Sequence, residues 1–374
     1  MILTYLCVLS LLLWTLLLLH PDQPHLFSES LPEKQPLKNA PKVSIVIPCR
    51  NEEQILETTL QTLTNLDYDN YEIILVDDCS TDATRTIAEK QLHKPHVIVS
   101  GKEVPEGWAG KMWALEQGIA NATGEWILLS DADIAHNEHS LSQIVSLAVH
   151  QEYDLVSVMV SLSTKSFWEK LLVPAFVYFF KILYPFRAIR SKKRKVAAAA
   201  GGCVLIKKDV LQNIGGIRAI HGELIDDVAL AKKVKSSGYN ISLWLDKNIR
   251  SIRSYIGLEG LWAMVARSAF TELKYSYMRL LMCTFGLVVL FMIPVYTMMT
   301  GIFTSHNPFV LLGSSAYITM MITYLPAIRF YNVNLVYALL FPFIGVLYML
   351  MTLDSARKYT FGVRATWKDR SYKN

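Results

Sequence analysis

Apolar residues are concentrated near the two ends of this chain of 374 residues. Residues 2–19 carry no charged side chain. Three further apolar runs lie towards the end, at Leu280–Phe303, Phe309–Ile328 and Leu335–Leu353. About 20 consecutive apolar residues are enough for a helix to cross the hydrocarbon core of a bilayer. We therefore expect an N-terminal transmembrane anchor at residues 1–20 and a C-terminal transmembrane region at residues 280–353.

A cleaved signal peptide is the alternative for the first apolar stretch. Such a peptide begins with basic residues and ends at a small-residue cleavage site. Here Met1 is followed by Ile, Leu and Thr, and the stretch ends at His20-Pro21. The sequence favours an uncleaved anchor.

Basic residues indicate which side of the membrane the rest of the chain occupies. Six positive charges lie between Arg187 and Lys195, and basic segments tend to remain in the cytoplasm. The tail at residues 354–374 is also basic, but three full crossings after a cytoplasmic domain would place it outside. Either one segment does not cross fully or the charge rule fails here, and both alternatives stay open.

The same basic run has two interpretations of its own. It is a solvated loop, or it contacts anionic lipid headgroups, where each charge contributes roughly 1 kcal/mol. No nucleic-acid-binding motif accompanies the run, so no nucleic-acid partner is predicted.

Between the apolar stretches, strand and helix patterns alternate. Residues 21–41 contain five prolines and are predicted to be a linker. Short apolar runs typical of buried strands follow at Val43–Ile47, Glu72–Val76, Val97–Val99, Trp126–Ser130 and Leu155–Val160. Helical patterns separate these runs, and Asn51 is a candidate cap for the first of these helices. The alternation predicts an α/β fold with a mostly parallel sheet and helices on both faces.

Carboxylates follow two of the predicted strands. Asp77-Asp78 comes after the second strand, and Asp131 and Asp133 come directly after the fourth. Ligands of such sheets bind outside the carboxyl ends of the strands, so these side chains should line one crevice. Mg²⁺ or Mn²⁺ takes one or two carboxylates together with substrate phosphate oxygens. No G-x-G-x-x-G follows the first strand, which argues against a dinucleotide cofactor.

A third acidic pair, Asp226-Asp227, begins a predicted helix. A helix N-terminus stabilises the ionised carboxylate, and one of the two carboxylates has the chemistry of a general base. Plain capping of the helix is the alternative for this pair. For Asp77-Asp78 the alternative is a helix cap that Asp78 forms with Ser80 and Asp82.

These motifs together resemble the family 2 glycosyltransferases of the GT-A (Rossmann-like) fold over roughly residues 42–275. The resemblance rests on VSIVIPCRNEE, LVDDCSTD, GWAGKMWAL, LLSDADI and GGCVLIKKDVLQNIGG, in that order. It implies a nucleotide-sugar donor, a divalent cation and inverting transfer, in which an acceptor hydroxyl attacks the anomeric carbon from the face opposite the leaving group.

The resemblance also implies roles for individual residues. Donor-binding residues would be Pro48, Glu52, Asp78, Lys111, Asp131, Gly201 and Gly202, with Pro48, Glu52 and Asp78 at the nucleoside. Asp131 and Asp133 would bind the metal. Asp227 occupies the position of the catalytic base, and Asp226 is its neighbour.

A closer similarity is to the hopene-associated membrane glycosyltransferases, which are similar in turn to ceramide glucosyltransferases. It is carried by LVPAFVYFFKILYPF, AAAAGGCVLI, LIDDVALAKKVK and MVARSAFTELKYS. Within this region, residues 171–186 are predicted to form an interfacial helix, with a buried core helix as the alternative. The Q/R-x-x-R-W motif of processive relatives is incomplete: Arg267 is present, but the Trp is missing. Arg267 is expected to neutralise the donor diphosphate.

The function implied is transfer of a sugar from a nucleotide-sugar, UDP-sugar being the expected donor, to a lipid hydroxyl. A hopanoid or related lipid would be the acceptor, at the cytoplasmic face of a bacterial inner membrane. The alternatives are a polyprenyl-phosphate sugar synthase, a processive polysaccharide synthase and a non-catalytic membrane scaffold. Neither the sugar nor the acceptor can be named from the sequence.

Overall fold

The computed structural model describes residues 1–363 and the short strands Thr366–Trp367 and Arg370–Ser371. Residues 364, 365, 368, 369 and 372–374 of the predicted basic tail therefore lie outside the described residues. The chain forms two compact units. The sheet unit contains residues 28–163 and 188–254, and the helical unit contains residues 1–27, 164–187 and 255–363.

Within the described residues, the sheet unit is built on eight strands, which match the predicted α/β fold. They are β1 (Val43–Cys49), β2 (Tyr71–Asp77), β3 (Val97–Ser100), β4 (Trp126–Ser130), β5 (Ile134–Ala135), β6 (Leu155–Ser161), β7 (Cys203–Lys207) and β8 (Ile241–Ser251). Their order across the sheet is β3-β2-β1-β4-β7-β6-β8-β5. Every predicted strand lies within two residues of its observed bounds.

The sheet is mostly parallel, as predicted, but one central strand reverses. β1 pairs in parallel with β2 and β4, whereas β7 is antiparallel to both of its neighbours, β4 and β6. The short strand β5 is also antiparallel to β8. Strand β7 was not among the predicted strands, and a short apolar run would in any case carry no mark of its direction.

Helices cover both faces of the sheet. Those of the sheet unit are α2 (Leu56–Thr64), α3 (Thr84–Gln91), α4 (Gly110–Ala120), α5 (Ser140–His150), α8 (Lys208–Asn213) and α9 (Asp226–Ser236). All seven residues of β1 are buried. Alternate side chains of a strand face opposite sides: Ile45 and Ile47 join a core with Leu60 of α2, and Val46 lies against α4.

The close approach of α4 to the sheet depends on a glycine. A Cβ added at Gly118 would lie 2.4 Å from Cγ1 of Val46 and 2.9 Å from Cγ2 of Val76. The absent side chain lets this helix lie against β1 and β2, and Lys111 stands at the N-terminal end of the same helix.

Asn51 does not cap the helix that follows it, contrary to the prediction. Helix α2 begins at Leu56, and no side chain caps it. Asn51 adopts a φ of 50°, a left-handed conformation that Asn tolerates better than most residues, and its Oδ1 accepts a hydrogen bond from the N–H of Thr81 at 2.9 Å. The residue therefore joins two loops.

The helical unit consists of apolar helices. Its elements are α1 (Ile2–Leu18), α6 (Phe167–Leu183), α10 (Gly257–Glu272), α11 (Tyr277–Leu287), α12 (Ile293–Phe303), α13 (Asn307–Phe330) and α14 (Phe341–Thr360). A short helix, α7 (Phe186–Arg190), follows α6 along the chain. Tyr178 of α6 hydrogen-bonds Thr323 of α13 at 2.7 Å, and Tyr348 of α14 donates to the carbonyl of Leu172 at 2.8 Å.

Within the part of the chain that the structure describes, three continuous helical segments are long and apolar enough to cross a membrane. They are Tyr277–Phe303, Asn307–Phe330 and Leu335–Thr360, and they contain the three runs predicted from the sequence. Helix α1 is also apolar but shorter. A π-helical turn, Val288–Met292, interrupts the first segment. The carbonyl of Leu290 in this turn accepts hydrogen bonds from Nε1 of Trp14 at 3.2 Å and from Oγ of Ser10 at 3.3 Å. Side chains of α1 therefore provide hydrogen-bond donors for a backbone carbonyl of the π-helical turn.

Candidate active site

The reversed strand β7 brings distant parts of the chain together. Ser130, the last residue of β4, pairs with Cys203, the first residue of β7. Gly201 and Gly202 precede β7 and therefore lie beside Asp131, which follows β4. The N–H of Asp131 donates to the carbonyl of Gly202 at 3.4 Å. The predicted metal motif and the predicted glycine segment thus form one site.

Lys111 bridges two of the acidic motifs. Its Nζ lies 2.7 Å from Oδ1 of Asp131 and 3.6 Å from Oδ2 of Asp226. Burial opposes the charge on Lys111, but the neighbouring carboxylates outweigh burial and raise its pKa. Burial likewise raises the pKa of Asp131, although Lys111 acts in the opposite direction.

Asp227 is held by backbone donors. Its Oδ2 accepts from the N–H of Gly201 at 2.8 Å, and its Oδ1 accepts from the N–H of Val228 at 2.8 Å. Burial, reinforced by the charge of Asp226, raises the pKa of Asp227 to about 7 despite these hydrogen bonds. A carboxyl with that pKa can take up a proton near neutral pH, as a general base requires.

Asp133 contacts a residue that the sequence did not indicate. Its Oδ2 accepts from Nε of Arg253 at 3.1 Å and from Oγ of Ser251 at 3.0 Å. The same guanidinium contacts both carboxylate oxygens of Glu52, at 2.8 and 2.7 Å. Arg253 follows β8 by two residues, but β8 was not among the predicted strands, so no local signal pointed to Arg253. Glu52, expected at the nucleoside, here binds Arg253.

Acidic side chains outnumber basic ones in this cluster. Among the described residues it contains the carboxylates of Glu52, Asp131, Asp133, Asp226 and Asp227 and the cations of Lys111 and Arg253. Even with one carboxyl protonated, negative charge is in excess, which favours a bound cation.

The same cluster fits a divalent metal that is shared with substrate. No group of three His, Cys, Asp or Glu side chains within the described part of the chain is arranged to hold a metal unaided. Mg²⁺ and Mn²⁺ are commonly bound through one or two carboxylates together with phosphate oxygens. Asp131 and Asp133 lie two positions apart in one loop and supply such a pair.

The loops after β1 and β2 are joined by hydrogen bonds. The N–H of Asn51 donates to Oγ of Ser80 at 3.1 Å, and the N–H of Glu52 donates to Oγ1 of Thr84 at 2.7 Å. Asp78 is fully buried at the end of β2. Pro48 is buried inside β1, opposite Val76. These residues form the edge of the sheet where a nucleoside was predicted.

Arg267 belongs to the other unit. It is an exposed residue of α10 in the helical unit. The geometry that joins Lys111, Asp131, Asp133 and Asp227 does not include it, and its contact with the diphosphate stays a prediction.

The family model for glycosyl transferase family 2 matches residues 44–215. The chain contains a family 2 glycosyltransferase domain. This match includes Asp78, Lys111, Asp131 and Asp133 and ends before Asp227 and Arg253. The interpretation of these last two residues therefore rests on the geometry of the site.

Known proteins share parts of the family 2 domain. A probable glycosyltransferase of Bacillus subtilis, YdaM, is 29% identical over 221 residues, which are 58% of this chain and 52% of that protein. The beta-monoglucosyldiacylglycerol synthase of a Nostoc species is 29% identical over 142 residues, 37% of this chain and 30% of the synthase. The matched part of the chain spans about half of the first relative's length and less of the second's.

A solved structure shares the fold of the whole chain. It is a mannosyltransferase of Pyrobaculum calidifontis in complex with GDP-Man and Mn²⁺, with a TM-score of 0.59 and 17% identity. The alignment covers 96% of this chain and 99% of that one. The fold around the family 2 domain is thus found in a known glycosyltransferase.

Proposed function

We propose that this protein is a membrane-bound inverting glycosyltransferase that transfers a sugar from a nucleoside-diphosphate sugar to a lipid hydroxyl. The observation that carries the proposal is the placement of Asp227. Gly201 and Val228 hold its carboxyl in the pocket that Lys111 and Asp131 also line. This placement supports a general base next to a site for the donor diphosphate.

The residues of the pocket divide the chemistry between them. Asp131 and Asp133 would hold a divalent cation, which would supply positive charge to stabilise the leaving diphosphate. Lys111 adds positive charge at the same place, where negative charge develops during transfer. Asp227 accepts the proton of the acceptor hydroxyl as its oxygen attacks the anomeric carbon and the bond to the leaving diphosphate breaks.

The raised pKa of Asp227 favours a hydroxyl acceptor over a phosphate acceptor. A phosphate is already ionised and needs no base, whereas a hydroxyl must lose its proton during attack. A polyprenyl-phosphate sugar synthase would therefore gain little from Asp227. The incomplete motif around Arg267 likewise argues against processive synthesis.

A lipid acceptor is supported by the apolar helices and by one relative. Three segments could cross a membrane, and the Nostoc relative is named for a glucosyldiacylglycerol product. We propose a hopanoid or a related lipid as the acceptor, a UDP-sugar as the donor, and the cytoplasmic face of a bacterial inner membrane as the place of reaction. In this proposal α1 is an uncleaved anchor, since its Trp14 and Ser10 bond to Leu290 of the same unit.

The test is transfer of radiolabel by the purified full-length protein. UDP- and GDP-sugars are offered in turn with Mn²⁺ and, as separate acceptors, a hopanoid, diacylglycerol, a ceramide and a polyprenyl phosphate. We expect label in the organic phase with one donor and with a hydroxyl-bearing lipid. The Asp227→Asn variant is the matched control and should be inactive.

Two outcomes would contradict the proposal. Transfer to polyprenyl phosphate that survives Asp227→Asn would identify the alternative synthase. Failure to bind any nucleotide-sugar, measured by calorimetry on the same preparation, would remove the catalytic interpretation altogether.

A further inference from the structure

The turn between α7 and β7 carries an isolated excess of positive charge. No acidic residue occurs from 170 to 208, while ten Lys and Arg residues lie in that range. Lys192, Lys193, Arg194 and Lys195, here named the basic turn, are consecutive and exposed. No salt bridge among the described residues neutralises Lys192, Lys193 or Lys195. Four adjacent exposed cations repel one another, so the turn gains from an anionic partner.

The place of the turn in the sequence indicates which partner. The chain leaves the helical unit, which contains the three candidate spans, at Arg187, and the basic turn begins five residues later. Five residues reach at most about 18 Å. Basic segments close to membrane helices bind anionic headgroups electrostatically. A bilayer surface is therefore the polyanion that the position of the turn favours.

Lys235, which lies outside the basic turn, hydrogen-bonds to the backbone on both sides of it. Nζ of Lys235 donates to the carbonyls of Ile189 at 2.6 Å and Val196 at 2.7 Å, which flank the basic turn on either side. Lys235 lies in the last turn of α9. The first turn of α9 contains Asp227, whose Oδ2 accepts from Gly201, five residues beyond Val196. The segment 189–201 is thus attached to both ends of the helix that carries Asp227.

We propose that the basic turn is a docking surface for anionic lipid headgroups, and that Lys235 connects this surface to the segment that holds Asp227. Docking orders the turn between its two attached ends. Lys235 holds Val196 against α9, and the buried alanines 197–200 connect Val196 directly to Gly201, so ordering of the turn reaches Gly201 through the Lys235 contact. Docking does not depend on the proposed function.

The test is hydrogen–deuterium exchange on the full chain in nanodiscs. One set contains phosphatidylcholine alone and the other about 30% phosphatidylglycerol, an anionic content that attracts basic segments. Peptides covering residues 189–197 should exchange about fivefold more slowly with phosphatidylglycerol, and about 0.5 M salt should remove the difference because it screens exposed charges. Equal exchange in the two lipids would overturn the proposal.

Two charge variants separate the turn from general attraction. The variant K192Q/K193Q/R194Q/K195Q should lose the lipid-dependent protection. The control K38Q/K90Q/K94Q/K102Q removes the same charge from other exposed positions of the sheet unit and should keep it. Protection lost in both variants, or in neither, would contradict a specific surface. So would equal protection by soluble glycerol phosphate or by an oligonucleotide in neutral nanodiscs.

The connection through Lys235 has its own readout. In the unmodified protein, phosphatidylglycerol should also slow exchange at Gly201 and Gly202. In Lys235→Met the turn should remain protected, but the effect at Gly201 and Gly202 should disappear. Persistence of that remote effect in the variant would show that Lys235 does not carry it. The readout is exchange, so a failure here is distinct from a failure of the transfer assay.

Discussion

At the scale of single residues, the charges of Asp227 and Lys111 are set by the balance between burial and neighbouring charged groups. Asp227 has two backbone donors, each of which favours the charged carboxylate, yet burial and Asp226 raise its pKa to about 7. Lys111 nearby keeps its charge because carboxylates surround it. One pocket therefore combines a permanently charged lysine with a carboxyl that exchanges a proton near neutral pH.

The Asp227→Asn variant tests the role of that carboxyl. It keeps the shape of the side chain and removes the base, so kcat should fall by about 10² to 10⁴. Donor affinity, measured by calorimetry, should change by less than about twofold, since the proposed diphosphate contacts are at Lys111, Asp131 and Asp133. A loss of donor binding equal to the loss of turnover would contradict the role of base.

The pH dependence of turnover follows from the same raised pKa. Below about pH 7 the Asp227 carboxyl is protonated and cannot accept a proton, so log kcat/KM should rise with unit slope towards pH 7 and then level off. In the unfolded chain this carboxyl ionises near pH 3.8. Its contribution to stability is therefore greatest at low pH and is lost as pH rises from about 4 to 7. An activity profile that is flat from pH 5 to about 8 would count against the assignment.

The contact between Glu52 and Arg253 is expected to stabilise the loops around Asp133. Glu52 is nearly buried, and a charged hydrogen bond of this kind contributes about 1.5–3 kcal/mol. A double-mutant cycle with Glu52→Gln and Arg253→Gln, read by unfolding in detergent, should give a coupling above about 1 kcal/mol. The exposed pair Arg85 and Glu89 is the control, with a coupling below about 0.5 kcal/mol.

At the scale of elements, the sequence predicted β1 to β4 and β6, whereas β5, β7 and β8 were not predicted. Buried runs such as Trp126–Ser130 are visible because apolar residues cluster between turn signals. The direction of β7 depends on which neighbours it meets, and this is a property of the folded chain. For the same reason the Asp131, Lys111 and Asp227 motifs could be found singly, whereas Arg253 could not, because nothing in its local sequence marks a partner 120 residues away.

Gly118 allows a test of the packing of α4. The variant Gly118→Ala should destabilise the protein by about 1–3 kcal/mol, because its Cβ would overlap Val46 and Val76. The measurement is the thermal unfolding midpoint in detergent. Gly286→Ala, in a helix where an added Cβ meets nothing within 4 Å, should not lower the midpoint. Equal effects of the two substitutions would show that close packing is not the cause.

At the scale of the whole molecule, the apolar helices are the feature that bears on membrane attachment. Three segments have the length and composition to cross a bilayer, and Trp14 of α1 bonds to the π-helical turn of the first. The described helices of this unit expose many large apolar side chains, and exposed apolar surface of that kind is stable in lipid rather than in water.

Membrane attachment should therefore resist treatments that release peripheral proteins. After an alkaline carbonate wash, the full chain is expected in the membrane pellet, and detergent should release it. A version in which the four lysine and arginine residues of the basic turn are replaced by glutamine should behave identically, because spanning helices, unlike surface charges, are not displaced by pH or salt. Release of the unmodified chain by carbonate would contradict the transmembrane assignment.

The position of β7 between β4 and β6 also affects the order of assembly during synthesis. The strands β1 to β4 can pair as soon as about the first 130 residues have left the ribosome, since domains can fold as the chain emerges. Strand β6 is made before β7, yet on one side it can join the sheet only through β7. Until residue 207 emerges, the growing sheet presents an open edge at β4, and open edges are where strands of other chains pair wrongly. The nascent protein is therefore most vulnerable to aggregation in the interval between these two strands.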